Sequence, residues 1–312
     1  MPARDRRRQR DAGAESSGVS DVAHADAAAS FEPHRRHLMA LAYRMLGSLA
    51  EAEDAVQETY LRWHKADRAS VENPRAFLSR TVTRLCLDQL RSARSRHETY
   101  VGPWLPDPVL EGMMLDADTA SDYAHDLSVA LMLTLERLSP LERAAFLLHD
   151  VFEVGFAEIA ATLGRNETAV RQLAARGRVH VKASRPRFHP SSEDTARFLA
   201  AFRRASESGN TAALAACLAQ DAVFLSDGGG KRPAALVPVE GADNIVRLLE
   251  AIDRNRPPGL FRFREATING MPGFVIAEPS GAVQTVALDI DGGKIAAIYV
   301  MRNPDKLHGI SF

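Results

Sequence analysis

Apolar residues fall into two regimes along this chain, a helical spacing of three and four up to about residue 182 and short strand-like runs after residue 220. Leu38, Leu41, Ala42, Met45 and Leu46 line a first helix that stops near Gly47-Ser48. Ala52, Ala55, Val56, Thr59, Tyr60 and Trp63 line a second, and Asn73-Pro74 opens a third carrying Phe77, Leu78, Thr81, Val82, Leu85, Cys86 and Leu90. Residues 34 to 98 therefore read as an all-helical block. From Glu98 to about Tyr123 the pattern fails. YVGPWLPDPVLEG places Pro103, Pro106 and Pro108 around Trp104, a stiff, extended connector whose Trp is either an anchor or simply tucked against the nearest domain. Helical spacing resumes from about Asp126 to Lys182, with Ser139 as a cap, Pro140 in the first turn and Glu142 reinforcing that start.

Within this second block, FAEIAATLGRNETAVRQLAARGR at 156 to 178 reads as a helix-turn-helix. Phe156, Ile159, Ala160 and Leu163 form one apolar face, Gly164 ends the helix, and Asn166 caps the next, with Glu167 suited to its first turn. Val170, Leu173 and Ala174 continue inward and leave Arg171 and Gln172 on other faces. Early side chains of such a helix reach base edges and later arginines meet phosphates. Between Arg165 and Arg187 seven Arg or Lys stand against the single acid Glu167. The alternative is a plain helical hairpin with a solvated basic face.

After Arg187 the spacing predicts helices at 198–205, 212–218 and 242–252. Strands are predicted at 223–226, 260–268, 274–278, 283–290 and 294–301, the last two joined by a tight turn at Asp291-Gly292-Gly293. This describes a small α+β domain with an antiparallel, curved sheet whose concave face holds either a ligand or a core. GGGK at 228 to 231 lacks the spacing and the Ser or Thr of a phosphate-binding loop.

The net charge of −1 over 312 residues excludes a bulk polycation, so nucleic-acid binding must come from local patches. The first helical block offers two, an acidic one at Glu51, Glu53, Asp54 and Glu58 and a basic one at Arg84, Arg91, Arg94 and Arg96, each either a binding surface or a solvated helix face. Cys86 and Cys217 lie in separate apolar patterns and read as buried thiols, with no metal site and no cofactor expected. No run of eighteen apolar residues exists, which points to a cytoplasmic protein without a membrane segment. Residues 1–30, rich in Ala, Ser, Gly, Asp and Arg, read as a disordered leader.

LAYRMLGSLAEAEDAVQETYLRWHK, NPRAFLSRTVTRLCLDQLRSARSR and LERLSPLERAAFLLHDVFEVGFAEIAATLGRNETAVRQLAARGR resemble regions 2 and 4 of a bacterial extracytoplasmic-function sigma factor, over roughly residues 31 to 184. WLPDP at 104–108, DGGGK at 227–231 and NPDKL at 303–307 resemble signatures of the subgroup with a C-terminal SnoaL-like extension of the nuclear-transport-factor-2-like fold. That subgroup usually has Glu where this chain has Asp107. The resemblance implies a leader (1–30), region 2 (31–98), a linker (99–125), region 4 (126–187) and a SnoaL-like domain (192–312). It implies core RNA polymerase and promoter DNA as partners. Asp54, Gln57, Glu58 and Arg62 would dock on the β′ clamp helices, and region 4 on the β flap. Residues 66–74 would capture an unstacked −10 base, and Arg80, Arg84, Asp88 and Arg91 would meet the −10 strand. For the −35 element, Arg171 and Gln172 are expected at base edges and Arg165, Arg176 and Arg178 at the backbone.

The extension is expected to act as an intramolecular regulator that folds back on regions 2 and 4 through Trp104, Leu105, Pro106, Asp107 and Pro108. Asp227, Gly228, Gly229, Gly230 and Lys231 form one loop of this device, and Asn303, Pro304, Asp305, Lys306 and Leu307 another. A small-molecule ligand for the domain stays open, as do the rival readings of a conventional helix-turn-helix regulator and of an enzyme using Asp221, Asp227, Glu278, Asp289 or His308; no catalytic residue is assigned.

Overall fold

A computed structural model describes residues 8–97, 100–111, 126–183, 191–255 and 258–312. Its first half is helical: α1 (Arg8–Leu46), α2 (Leu49–Lys65), α3 (Pro74–His97), α4 (Val129–Arg137), α5 (Pro140–Phe146, continued by a π turn over Leu147–Val151), α6 (Phe156–Leu163) and α7 (Glu167–Ala183). The breaks fall where the sequence places them. Gly47 adopts φ +69°, Ser48 accepts from the Glu51 N–H to cap α2, and Asn73 accepts from the Ala76 N–H to cap α3. Ser139 and Glu142 form a reciprocal capping box at α5, with Pro140 in its first turn.

The stretch expected as a disordered leader is helical from Arg8: α1 begins there and runs through an Ala-rich stretch of high helix propensity. Its residues 26–30 make packing contacts, since Ala27 is buried, Ser30 accepts from the Trp63 indole N–H and Asp26 pairs with Arg68.

Regions expected as separate bodies share one apolar core. Leu38, Trp63, Leu78 and Val82 from the first three helices are continuous with Leu135, Phe146, Phe152 and Ile159. Two arginines bind reciprocally across that boundary. Arg143 of α5 donates to the Met45 carbonyl (2.6 Å) at the end of α1 and to Glu136 (2.7 Å). Arg84 of α3 donates to the Thr162 and Ala161 carbonyls at 3.1 and 3.2 Å, at the end of α6. Each thereby satisfies carbonyls that a helix C-terminus leaves without an intrahelical donor, where a cation also suits the dipole.

The last third comprises α8 (Ser192–Ser208), α9 (Ala212–Cys217), α10 (Ala242–Arg254) and a six-stranded sheet of β1 (Leu218–Asp227), β2 (Val239–Glu240), β3 (Arg262–Ile268), β4 (Met271–Ala277), β5 (Val283–Asp291) and β6 (Lys294–Met301), in the order β2-β1-β6-β5-β4-β3. The sheet is not wholly antiparallel as expected: β1 runs parallel to β6, with Val223 opposite Ala297 and Asp227 opposite Met301. The three hairpin strands and α10 intervene between them in sequence, which supplies the long crossover a parallel pair needs.

Side-chain alternation gives the sheet two buried faces. Phe274, Val286, Leu288 and Ile298 meet Phe198, Phe202, Leu214 and Ile245 of the helices. Val275, Ala287, Ala297, Tyr299 and Met301 face the other way, against Leu105 of the linker and Val129 of α4. This second face is covered from outside its own domain. Leu105, Pro106, Pro108 and Val129 leave about 10 Å³ of open space there, on the order of a single water. Phe274 is fully buried between Phe202 and Phe263. Phe274→Ala is expected to destabilise the C-terminal domain by about 3–5 kcal/mol, read as a lowered urea midpoint for that domain.

Candidate nucleic-acid interface and interdomain latch

α6 ends at Gly164, which takes the left-handed conformation at φ +62°, and Asn166 accepts from the Ala169 N–H at 2.8 Å to start α7. Val170, Leu173 and Ala174 pack inward, which leaves Arg171, Gln172 and Arg176 exposed on the outer surface of α7. Gly177 is required where α7 crosses α5, because a Cβ there would press on Phe146 and the Glu142 carbonyl.

The arginines of this motif differ in their bonding. Arg165 is exposed and donates to the neighbouring Gly164 carbonyl. Arg171 pairs with Glu167 at 3.3 Å and lies 4.2 Å over the Phe156 ring. Arg176 pairs with Glu142 at 2.7 Å, and its charge joins the Ser139 hydroxyl, the larger influence, in holding the Glu142 carboxyl below its ordinary range. Arg178 is half-buried against Asp150, also at 2.7 Å. Arg176 and Arg178, expected at phosphates, thus also tie α7 to α5 and the π turn.

On α2, Glu53, Asp54, Gln57 and Arg62 are exposed, Glu58 pairs with Arg62 at 2.9 Å, and Leu61 is left 43% exposed beside them. An open groove of about 510 Å³ lies between α1 and α2, lined by Arg35, Met39, Glu53, Val56, Gln57 and Tyr60. On α3, Arg80 is partly buried and Asp88 and Arg91 form an exposed pair at 3.2 Å, while Arg84 is engaged by α6. The backbone of Arg94 and Arg96 continues α3, but their side chains lie outside the described residues. In the 66–74 segment Arg68–Ser70 form a short 3-10 turn.

The three signature motifs meet around one carboxylate. Asp227, fully buried at the end of β1, accepts from the Tyr100 hydroxyl (2.6 Å), the Leu105 N–H (3.0 Å), the Gly229 N–H (3.0 Å) and the Lys306 ammonium (2.9 Å). Lys306 also donates to the Leu105 carbonyl and sits 4.2 Å over the Trp104 ring. Its ammonium is held below the ordinary Lys range by burial, against the opposing pull of Asp227. Asn303 donates to Tyr100 and packs so closely on Gly229 that a side chain there would overlap it. Gly229 and Gly230 take φ +59° and +70°, and Lys231 closes the loop onto Asp305. Leu307 is buried under the sheet with Leu105.

The same linker grips the first helices. The Asp107 carboxylate accepts from the Leu49 N–H (2.8 Å) at the start of α2, and its own N–H donates to the Gly47 carbonyl (2.9 Å). The Trp104 ring lies against Gly47, where a Cβ would collide with it. Tyr43 donates to the Asp107 carbonyl and accepts from the side-chain amide of Asn269 in the β3–β4 turn, whose Oδ1 accepts from the Val109 N–H. Tyr43, Tyr100 and Asn269 were not singled out from sequence. The Asn269-Gly270 dipeptide between two apolar runs is the hairpin signal that marks the last, and both residues have positive φ.

A helix-turn-helix with an exposed recognition surface, a second helical module with an acidic exposed helix, and an α+β domain fastening both define a transcription factor that reads DNA and presents a further docking surface. Residues 31–96 match the family model for sigma-70 region 2 and residues 128–181 that for sigma-70 region 4. The chain is 41% identical over 290 residues to the ECF RNA polymerase sigma factor SigJ of Mycobacterium tuberculosis, covering 89% of this chain and 92% of that protein. SigG of the same species is 30% identical, covering 91% and 84%. The crystal structure of Mycobacterium tuberculosis SigJ superposes with a TM-score of 0.70 at 36% identity, over 90% of this chain and 98% of that one. The chain belongs to the extracytoplasmic-function sigma factors of the sigma-70 family, in the form that carries a C-terminal SnoaL-like domain. These are initiation factors, not enzymes; they bind core RNA polymerase and direct promoter-specific initiation.

Burial is the main cause that raises the Asp107 carboxyl from 3.8 to about 6, with the Leu49 N–H and Lys306 opposing. A docked linker therefore binds this proton more tightly than a free one, so docking is strongest below the free value and weakens as pH rises toward 6, then levels off. A fluorescence-transfer pair on α2 and the C-terminal domain should lose efficiency across that window, and Asp107→Asn should flatten the profile.

Proposed function

We propose that this conformation is the closed, resting state of the sigma factor, held by its own C-terminal domain. The observation that carries this reading is the convergence of the linker, the 227–231 loop and the 303–307 loop on buried Asp227, while the same linker caps α2 through Asp107. Elements centred near −10 and −35 lie about 25 base pairs apart, roughly 85 Å of duplex at about 3.4 Å per step. Arg84 of α3 touches α6 directly, so regions 2 and 4 must part before both elements are read.

In the open state, Asp54, Gln57, Glu58 and Arg62 with the neighbouring groove dock on the β′ clamp helices, and region 4 on the β flap. Arg80, Arg84, Asp88 and Arg91 contact the −10 strand once Arg84 leaves α6, with residues 66–74 capturing a splayed base. Arg171 and Gln172 read −35 base edges, and Arg165, Arg176 and Arg178 neutralise phosphates, the last two after exchanging their carboxylate partners for DNA. Any small molecule acting on the sheet face would have to displace Leu105–Pro108, which fill it. The protein acts in the cytoplasm, where polymerase is; among the described residues no helix is long and apolar enough to cross a membrane.

Lys306→Met leaves Asp227 buried without its cation, a change worth about 3–5 kcal/mol against docking. On the full chain it should lengthen the distance between α2 and α6 in solution and raise the yield of promoter-specific run-off transcripts with purified core polymerase. Opening without any change in transcript yield would count against the regulatory reading. Charge reversal at Asp54 should instead lower core affinity at least tenfold in a binding titration, with the solution distance unchanged.

A further inference from the structure

The recognition-helix residue Arg171 is held in place before any DNA arrives. Its guanidinium lies 4.2 Å over the ring of Phe156, the first residue of α6. The His149 ring lies 3.9 Å from the same ring, centroid to centroid, at an interplanar angle of 31°. Both groups thus lie within stacking range of the Phe156 ring. His149 is itself fixed, its Nδ1 lying 3.1 Å from the Val154 carbonyl, and Glu167 takes one Arg171 N–H from the previous turn of α7.

Stacking of this kind engages the face of the guanidinium and leaves the donors in its plane. Bidentate recognition of guanine O6 and N7 uses that plane. The two interactions are compatible, and a side chain already ordered by a ring loses less rotamer freedom on binding.

We propose that Phe156, backed by His149, is a positioning residue for sequence readout, presenting Arg171 edge-on to a guanine in the major groove of the upstream promoter element. This rests on the reading of α7 as the −35 recognition helix. The positioning role differs from a packing role because Phe156 is only partly buried against the helical core, so part of the ring serves the arginine.

The test uses holoenzyme assembled from the full chain and bacterial core polymerase, selecting from duplexes randomised across the upstream element, with the enriched pool sequenced. Wild type should enrich guanine at one position by about tenfold or more, and Arg171→Ala should abolish that enrichment. Phe156→Leu, which keeps an apolar side chain but has no ring, should cut the enrichment about fivefold, while Phe156→Tyr stays within about twofold of wild type. Binding to the unselected pool should change by less than about twofold in all three. Full enrichment in Phe156→Leu would overturn the positioning role and leave α7 as the reader. Unchanged enrichment in Arg171→Ala would overturn the base-reading role and the proposal with it. Equal losses on selected and unselected DNA in both Phe156 variants would assign the ring to packing alone and overturn the proposal.

Discussion

A carboxylate removed wholly from water must find donors for its lone pairs and a compensating charge, and Asp227 finds them on the linker, on its own glycine loop and on the 303–307 turn. That requirement organises the molecule. The linker has to pass close enough for Leu105 and Tyr100 to donate, and the 303–307 turn has to bring Lys306 under it. The ring of Trp104 has to lie over the ammonium. Once the linker is so placed, Leu105 and its flanking prolines cover the sheet, and Asp107 and Trp104 reach α1 and α2. The covering of the outer sheet face by Leu105 and the position of region 2 go together with this ionic contact.

Such a contact is suited to switching. Removing two charges from water costs several kcal/mol that their mutual attraction only partly returns, so a docked and an undocked linker differ by a modest free energy even though the individual bonds are short. The reciprocal arginines of α3 and α5 work on similar terms: each satisfies carbonyls at a helix end that solvent or phosphate-bound partners would otherwise replace. Binding surfaces of unequal accessibility result. The acidic surface of α2 is open to a partner in the closed molecule, while part of the α3 surface is occupied by α6.

Local patterns were legible because the rules behind them are local. The helical repeats of α2 and α3, the breaks at Gly47-Ser48 and Asn73-Pro74, the cap at Ser139, the helix-turn-helix with its Gly164 bend and every strand of the last third except the two-residue β2 follow from spacing and turn chemistry. The resemblance of WLPDP, DGGGK and NPDKL to family signatures singled out the latch segments, although nothing in their spacing places them together; 122 residues separate Leu105 from Asp227. What sequence left out is long-range. Parallel pairing of β1 with β6, the common core of the two helical regions, and the parts of Tyr43, Tyr100 and Asn269 depend on segments that meet only in three dimensions. The start of α1 before residue 31 was obscured because its composition is that of a polar leader, and only its contacts with Trp63 and Arg68 distinguish it. Arg84 and Arg178 stand as exposed cations in sequence and as partners of carbonyls and of Asp150 in the fold.

Lys306 closes the latch on Leu105 across 201 residues of chain. A ribosome adding about 5–20 residues per second takes roughly 6–25 s to pass from the end of α7 at Ala183 to that lysine. Throughout that interval the two helical regions have been made and the fastening that restrains them has not. Each newly made molecule therefore passes once through an unlatched form, and under the regulatory role proposed above the rate of translation of the last third sets how long nascent chains meet polymerase before the latch closes.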